Sequence, residues 1–493
     1  MTWRQQLWAR KSIDVLLAEM AGEHRLRRCL GPVSLTALGV GAIIGAGIFV
    51  LTGLAARDYA GPGLVLSFAF AGIGCALAAL CYAEFASTVP VAGSAYTYAY
   101  ATLGELFAWI IGWDLVLEYV VASSTVAHGW AHYLDTFLNL FGIAIPAAWI
   151  SNPFDYDVAS GQWLVTGAYL NLPAALIVLA ITTVLVVGIR ESARFNAGMV
   201  MLKVAVVLFV IAVGAVHVEP ANWHPFLPFG LGGVLQGSAY VFFAYIGFDA
   251  VSTHAEEAIN PQRDIPIGIL ASLALCTVLY ILVAGVLTGM VPSPEIDIHA
   301  PVAEAFARRG MGIAVLIISV GALVGITSVL LVLMLSGSRV LLAMARDGLI
   351  SRDFFGAIHP RFLTPHLATM VMGTAVAVLA ALFPLKLLAD LVNIGTLLAF
   401  VVVCAAVIIM RRTHPDLERP FRTPWVPVVP ALGIAVNLAM MLALGWHNWL
   451  RLFVWLGIGL VIYATYGRKR SAMALSHELG LGGASPGGRT IDE

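Results

Sequence analysis

The stretch Gly39-Val-Gly-Ala-Ile-Ile-Gly-Ala-Gly-Ile-Phe49 places four glycines, at 39, 41, 45 and 47, inside a hydrophobic run long enough to cross a bilayer. An ordinary spanning helix carries bulkier residues, so the pattern predicts a membrane helix that is interrupted. In hydrocarbon every unpaired backbone N–H or C=O is costly, and broken helix is tolerated only where it is buried in protein or lines a cavity. The freed N–H groups at the positive end of a half-helix suit an anion, and the freed carbonyls suit a cation.

Composition places this helix in a polytopic membrane protein. The 493 residues are 60% hydrophobic and only 11% charged, with a mean hydropathy of +0.91, far outside the soluble range. The segments between Gln162 and Arg190 and between Arg309 and Arg339 hold no charge and exceed the roughly 20 apolar residues a spanning helix needs. Such runs predict an all-α protein with twelve transmembrane helices, at about 32–55, 63–88, 97–124, 170–189, 196–216, 233–254, 267–291, 311–338, 367–384, 387–410, 427–445 and 449–466.

Charge then orients the chain. With both termini inside, twenty of the 27 Lys/Arg fall on the cytoplasmic side; only Arg57, Arg308, Arg309, Lys386 and Arg451 fall outside, and Lys203 and Arg339 lie within helices. The reversed orientation would invert that ratio. The first thirty residues carry six Lys/Arg but no apolar core, so no cleaved signal peptide is expected. A net charge of −1, sorted by membrane side, gives no face for nucleic acid.

The organisation is that of two matched blocks. Spans one to five (residues 31–217) and six to ten (233–410) each open with a glycine-interrupted helix, and an odd number of spans inverts the second block relative to the first. That is the arithmetic of a five-plus-five inverted repeat, with its site near the midplane where the broken helices meet. The second break is expected at Phe243 to Gly247. Taken singly, each glycine set is also explained as small-residue helix packing. Residues 1–30 form a cytoplasmic segment, 427–466 two C-terminal helices, and 467–493 a cytoplasmic tail expected to be disordered.

Other chemistries lack their parts. Cys29, Cys75, Cys81, Cys276 and Cys404 lie in or beside predicted helices, so neither a disulfide framework nor a metal spacing is implied. No nucleophile elbow or phosphate loop occurs, and His477-Glu478 lacks the second histidine of a zinc helix, so no enzyme and no cofactor is expected.

Longer motifs carry a resemblance. Gly45-Ala-Gly-Ile-Phe49 and the segment from Phe243-Ala-Tyr-Ile-Gly-Phe-Asp249 through Asn260-Pro-Gln-Arg-Asp-Ile-Pro266 resemble the amino acid–polyamine–organocation superfamily. Within it, Cys81-Tyr-Ala-Glu-Phe-Ala-Ser-Thr-Val-Pro90 with the run to Glu105, and Arg339-Val-Leu-Leu-Ala-Met-Ala-Arg-Asp-Gly-Leu349, look like bacterial members of the cationic amino acid transporter family. The resemblance implies a leucine-transporter-like fold with discontinuous first and sixth helices, two added C-terminal helices, and amino acid transport across the cell membrane by alternating access. A polyamine/amino acid exchanger and a non-transporting amino acid receptor share this parts list.

It also implies a site. In similar transporters the substrate carboxylate is held by N–H groups at the first break, here Ala46 and Gly47, and the ammonium by carbonyls of Ile43, Phe243, Ala244 and Ile246. Gly41, Gly45 and Gly247 would permit the breaks, and Glu118 and Leu333 would complete the pocket. Backbone contacts of this kind bind a zwitterion without burying a permanent protein charge.

Lys203, in Met199-Val-Met-Leu-Lys-Val-Ala-Val-Val207, is the only lysine expected within the hydrocarbon. A buried ammonium needs a partner or gives up its proton. By resemblance it stands where sodium-coupled relatives bind sodium; it braces Gly41 to Gly45, and a proton-coupling role is a further expectation. Asp114 and Glu118 lie four apart and share a helix face, with Asp114 expected near the helix mouth. Arg339 is expected to end the eighth helix, and Glu256, Glu257, Arg263 and Asp264 to form a network after the sixth. A branched Leu333 and the lack of a second midplane carboxylate favour neutral over cationic substrates.

Overall fold

The computed structural model describes residues 7–11, 30–88, 94–157, 162–188 and 193–472. It is predominantly helical. Among the described residues, eight helical stretches are long and apolar enough to cross a membrane, and four further apolar helices have 10–17 residues. The tail from residue 473 and most of the N-terminal segment, Cys29 included, lie outside the described residues. Cys75, Cys81, Cys276 and Cys404 are free and buried.

The glycine-rich stretch behaves as its composition demands. Helix α1, Pro32–Ile43, stops where Ile44 turns to an extended ψ of 105°, and helical backbone resumes as a π-helical turn at Gly47–Leu51 that continues to Ala60. Gly61, at φ 59°, reverses the chain into α2, Leu64–Thr88. The next expected span, 97–124, is displaced. Gly104 adopts φ 111° and divides α3, Ser94–Thr102, from α4, which runs from Glu105 to Asn139. Hydropathy had merged the two because Ala99 to Leu103 are as apolar as the helix that follows.

Helices α5 (Leu172–Val187) and α6 (Ala193–Ala215) follow. The loop before α5 contains a small antiparallel hairpin, Phe154–Asp157 with Gln162–Val165, pairing Phe154 with Val165. The all-α expectation did not include it. Helix α7, Gly230–Val241, passes into a 3₁₀ turn at Phe242–Tyr245, breaks at Ile246 (ψ 133°) and Gly247 (φ 117°), and resumes as 3₁₀ helix over Asp249–Glu257.

The longer helices that follow are α8 (Pro261–Met290), α9 (Gly312–Arg346), α10 (His366–Leu382), α11 (Leu385–Thr413), α12 (Val428–Ala443) and α13 (Trp446–Ile462). Helix α9 extends seven residues past Arg339, whose side chain is exposed on its flank. The two broken segments are tied at one end by a backbone bridge. Leu30 N–H donates to Glu257 O at 3.0 Å, and Ile259 N–H donates to Leu30 O at 2.9 Å. Asp264 accepts from Asn260 N–H at 3.2 Å as a local cap. The Glu256 side chain lies outside the described residues.

Candidate functional site

An α-helix that stops inside a protein leaves its last carbonyls without intrahelical donors. Around the α1 break two of those carbonyls find side-chain donors, while Val40 O keeps its ordinary helical partner. Val40 O accepts from Ile44 N–H at 2.9 Å, Gly41 O from Lys203 Nζ at 2.6 Å, and Ile43 O from Tyr280 Oη at 2.9 Å. Beyond the break, Tyr133 Oη donates to Phe49 O at 2.8 Å. The expectation had reserved the Ile43 carbonyl for a substrate ammonium; Tyr280 already occupies one of its lone pairs.

The donor side is arranged differently. The resuming turn at Gly47 has no side-chain cap, so its first N–H groups are available to an outside acceptor. Ala46 and Gly47 line a small cavity with Ala42, Ile43 and Gly45 from the same segment and with Phe243 and Ile246 from the second break. Its opposite wall is Val126 on α4 and Val329 and Leu333 on α9. Every side chain of this lining is apolar.

The two breaks touch. A Cβ at Gly47 would overlap the Ala244 backbone, and one at Gly45 would lie 2.7 Å from Val329 Cγ2. A Cβ at Gly247 would lie 2.8 Å from Ala42 O, and its φ of 117° is one that side-chain-bearing residues avoid. Free space in the cavity is about 10 Å³, near the minimum for one water molecule. Anything larger requires the lining to open.

Lys203 lies outside the cavity lining and bonds the end of α1. It is fully buried on α6, and besides Gly41 O it donates to Ser328 Oγ on α9 at 3.1 Å. Its stem passes Gly325, where an added Cβ would lie 3.4 Å from Lys203 Cγ. One ammonium thus joins three helices.

Glu118 is placed elsewhere. It lies eight residues before Val126 on α4, about 12 Å along the axis, and is absent from the cavity lining. Its surroundings are Asp249, Asp114 and Thr396, it is 2% exposed, and its Oε2 has no partner among the described residues. Asp114 is not at a helix mouth. It is wholly buried, faces Gly395 on α11, and neither carboxylate oxygen has a hydrogen-bond partner among the described residues. Tyr119 Oη donates to Asp249 Oδ2 at 3.4 Å. Among the cavity residues, Ala42, Val126 and Val329 were not anticipated; Val126 shares the Glu118 face at i+8, a periodicity the sequence does contain.

The geometry thus offers a small apolar pocket between two interrupted helices, the first of which resumes without a side-chain cap. The profile of a family described as "Amino acid permease" matches residues 30–466. The chain belongs to the amino acid permease family. It is a member of the amino acid–polyamine–organocation superfamily and a transmembrane permease. It is 50% identical over 468 residues to the branched-chain amino acid permease BcaP of Bacillus subtilis (strain 168), covering 95% of this chain and 99% of that one. It is 46% identical over 467 residues to the methylthioribose transporter of the same organism, with the same coverage. Human cationic amino acid transporter 4 is 39% identical over 399 residues, which are 80% of this permease and 61% of the human protein. These relatives point to a transporter rather than an enzyme.

Proposed function

We propose that this permease is a secondary transporter of neutral amino acids in the cell membrane, working by alternating access without sodium. The observation that carries the proposal is the meeting of the two breaks, which line one small cavity through Ala46 and Gly47 on the first and Phe243 and Ile246 on the second, with no side-chain cap on the resuming turn. An α-amino acid presents one anion and one cation on adjacent atoms, which this arrangement matches without a buried protein charge. Val126, Val329 and Leu333 then select aliphatic side chains, in keeping with the name of the branched-chain relative. A cationic side chain finds no carboxylate in the lining. Glu118 lies two turns away, where it acts on opening rather than on substrate.

Twelve spans, both termini cytoplasmic, and two inverted five-helix repeats complete the reading. The paired breaks and the Lys/Arg distribution support it. Lys203 replaces the coupling cation: a fixed ammonium on Gly41 O repels sodium from the carbonyls that would ligate it. Proton coupling through Lys203 is the accompanying reading.

Uptake into liposomes tests this. L-Leucine, L-valine and L-alanine should accumulate with no dependence on sodium, and an inward proton gradient should stimulate them. Stimulation by inward sodium rejects the Lys203 argument. Uptake of methylthioribose in preference to every amino acid would favour the function named for the second relative, since that sugar has neither carboxylate nor ammonium for the two breaks to hold.

A further inference from the structure

A second cavity, of about 210 Å³, lies between Tyr59, Gln236, Tyr240, Lys386, Asp390 and Arg451, and the turn from Ala443 to Gly445 with His447 and Asn448 of α13 closes one side of it. Its lining carries fixed charges of both signs, unlike the central pocket. Lys386 Nζ stands 5.3 Å from the centre of the Tyr59 ring, which packs against Tyr240 at 5.4 Å. Asp390 lies on the same wall as Lys386, Asn448 and Arg451, whose side chains act on its carboxyl electrostatically. Arg451 Nη1 donates to Asn448 Oδ1 at 2.8 Å.

Two features of this cavity await a ligand group. Tyr240 is 1% exposed, yet its hydroxyl has no hydrogen-bond partner among the described residues, an arrangement that favours a polar group arriving from the cavity. Helix α13 starts at Gly445 (φ 82°) with no side-chain cap, so its amino end is open to an acceptor. Tyr240 also precedes Phe243 of the central pocket by three residues, about one helical turn.

We propose that this cavity is a second amino-acid-binding site at the outer mouth of the permease, one turn from the central one. The inference rests on the reading of the chain as an amino acid transporter. The carboxylate is held by Lys386, Arg451 and the amino end of α13; the ammonium is held by Asp390 and the Tyr240 hydroxyl, against the Tyr59 face. A zwitterion answers both charges, whereas a simple anion or amine leaves one set unmatched. The site collects substrate and presents it to the central pocket.

The test uses Gln236, which is exposed and lines the cavity. Gln236→Cys is introduced with Cys29→Ser, the other cysteines being buried, and its modification by a small methanethiosulfonate is timed with and without L-valine. The central site is removed in parallel by Gly47→Val and, as a second route, by Leu333→Trp. Several-fold slowing by L-valine in both backgrounds, lost on Asp390→Asn or Lys386→Gln and not reproduced by isobutylamine or 3-methylbutanoate, is the expected result. Protection that vanishes with the central site, persists in Asp390→Asn, or is matched by 3-methylbutanoate overturns the proposal. Uptake by the otherwise unaltered protein is scored separately: protection without uptake of any amino acid would sink the transport reading while leaving the pocket standing.

Discussion

Lys203 Nζ donates to Gly41 O at 2.6 Å, fastening the last turn of α1 to α6 at the point where the first broken helix ends. The same ammonium reaches Ser328 on α9. A helix end that must shift during transport is therefore held by one group on two neighbours, and loss of that group frees the end while leaving the Gly41 carbonyl without a donor. Lys203→Ala should reduce uptake at least tenfold. Lys203→Arg should rescue little, because a larger planar guanidinium replaces a compact ammonium that bonds Gly41 O and Ser328 Oγ together. Initial rates in liposomes decide this, and a Lys203→Ala protein as active as the parent would reduce Lys203 to packing.

The contact between the two breaks leaves little tolerance. Gly47 abuts the Ala244 backbone, and Gly247 combines a φ of 117° with close approach to Ala42 O. Gly47→Ala should abolish binding of all amino acids alike, since it separates the carboxylate donors from the ammonium acceptors. Gly45→Ala meets only the Val329 side chain, which can rotate, and should be milder. Thermal shift against leucine and alanine measures both; a ligand at 100 times its Kd adds about 2.7 kcal/mol. Equal ligand shifts in the two variants would argue against the Gly47–Ala244 contact as the carboxylate end of the site.

Leu333 sets the depth of the pocket opposite the breaks. Leu333→Ala removes three carbons and should move preference toward larger aliphatic and aromatic side chains by at least about tenfold, the lower bound for one methylene in an apolar pocket. Leu333→Ser should improve competition by arginine relative to the parent. Competition against labelled valine provides the ranking. Tight arginine binding by the unaltered protein, with alanine and valine ineffective, would overturn the neutral-substrate reading.

Both breaks were legible because glycine spacing and hydropathy act locally, and matched glycine clusters at the start of both blocks outweigh the packing explanation that each has singly. Lys203 was legible for a related reason: a lone buried ammonium must find acceptors, and a broken helix supplies them. Asp114 and Glu118 were harder. Their shared face follows from a spacing of four, but where along α4 the pocket falls depends on the helix start, and Gly104 moved that start to Glu105. The tyrosine bonds from Tyr133 and Tyr280 to Phe49 O and Ile43 O join residues 84 and 237 positions apart. No local pattern marks them.

Glu84 supplies a prediction about assembly. It is fully buried at the end of α2, where it takes two bonds from Arg411, at 2.9 and 2.8 Å, and one from Thr423 N–H at 2.8 Å. Arg419 approaches within 3.4 Å. The carboxylate therefore pins the chain between α11 and α12 to α2, and so docks the C-terminal helices. Removing one partner of a buried pair costs about 3–5 kcal/mol, because the other charge is left uncompensated; Arg411 is partly exposed, so the lower end applies. Glu84→Gln should lower the unfolding midpoint of the detergent-solubilised protein and open the 414–423 segment to trypsin. Glu84→Gln combined with Arg411→Met should recover part of the loss, since the two sites share one interaction. Additive losses in the double variant would mean that Glu84 acts through Thr423 and Arg419 instead.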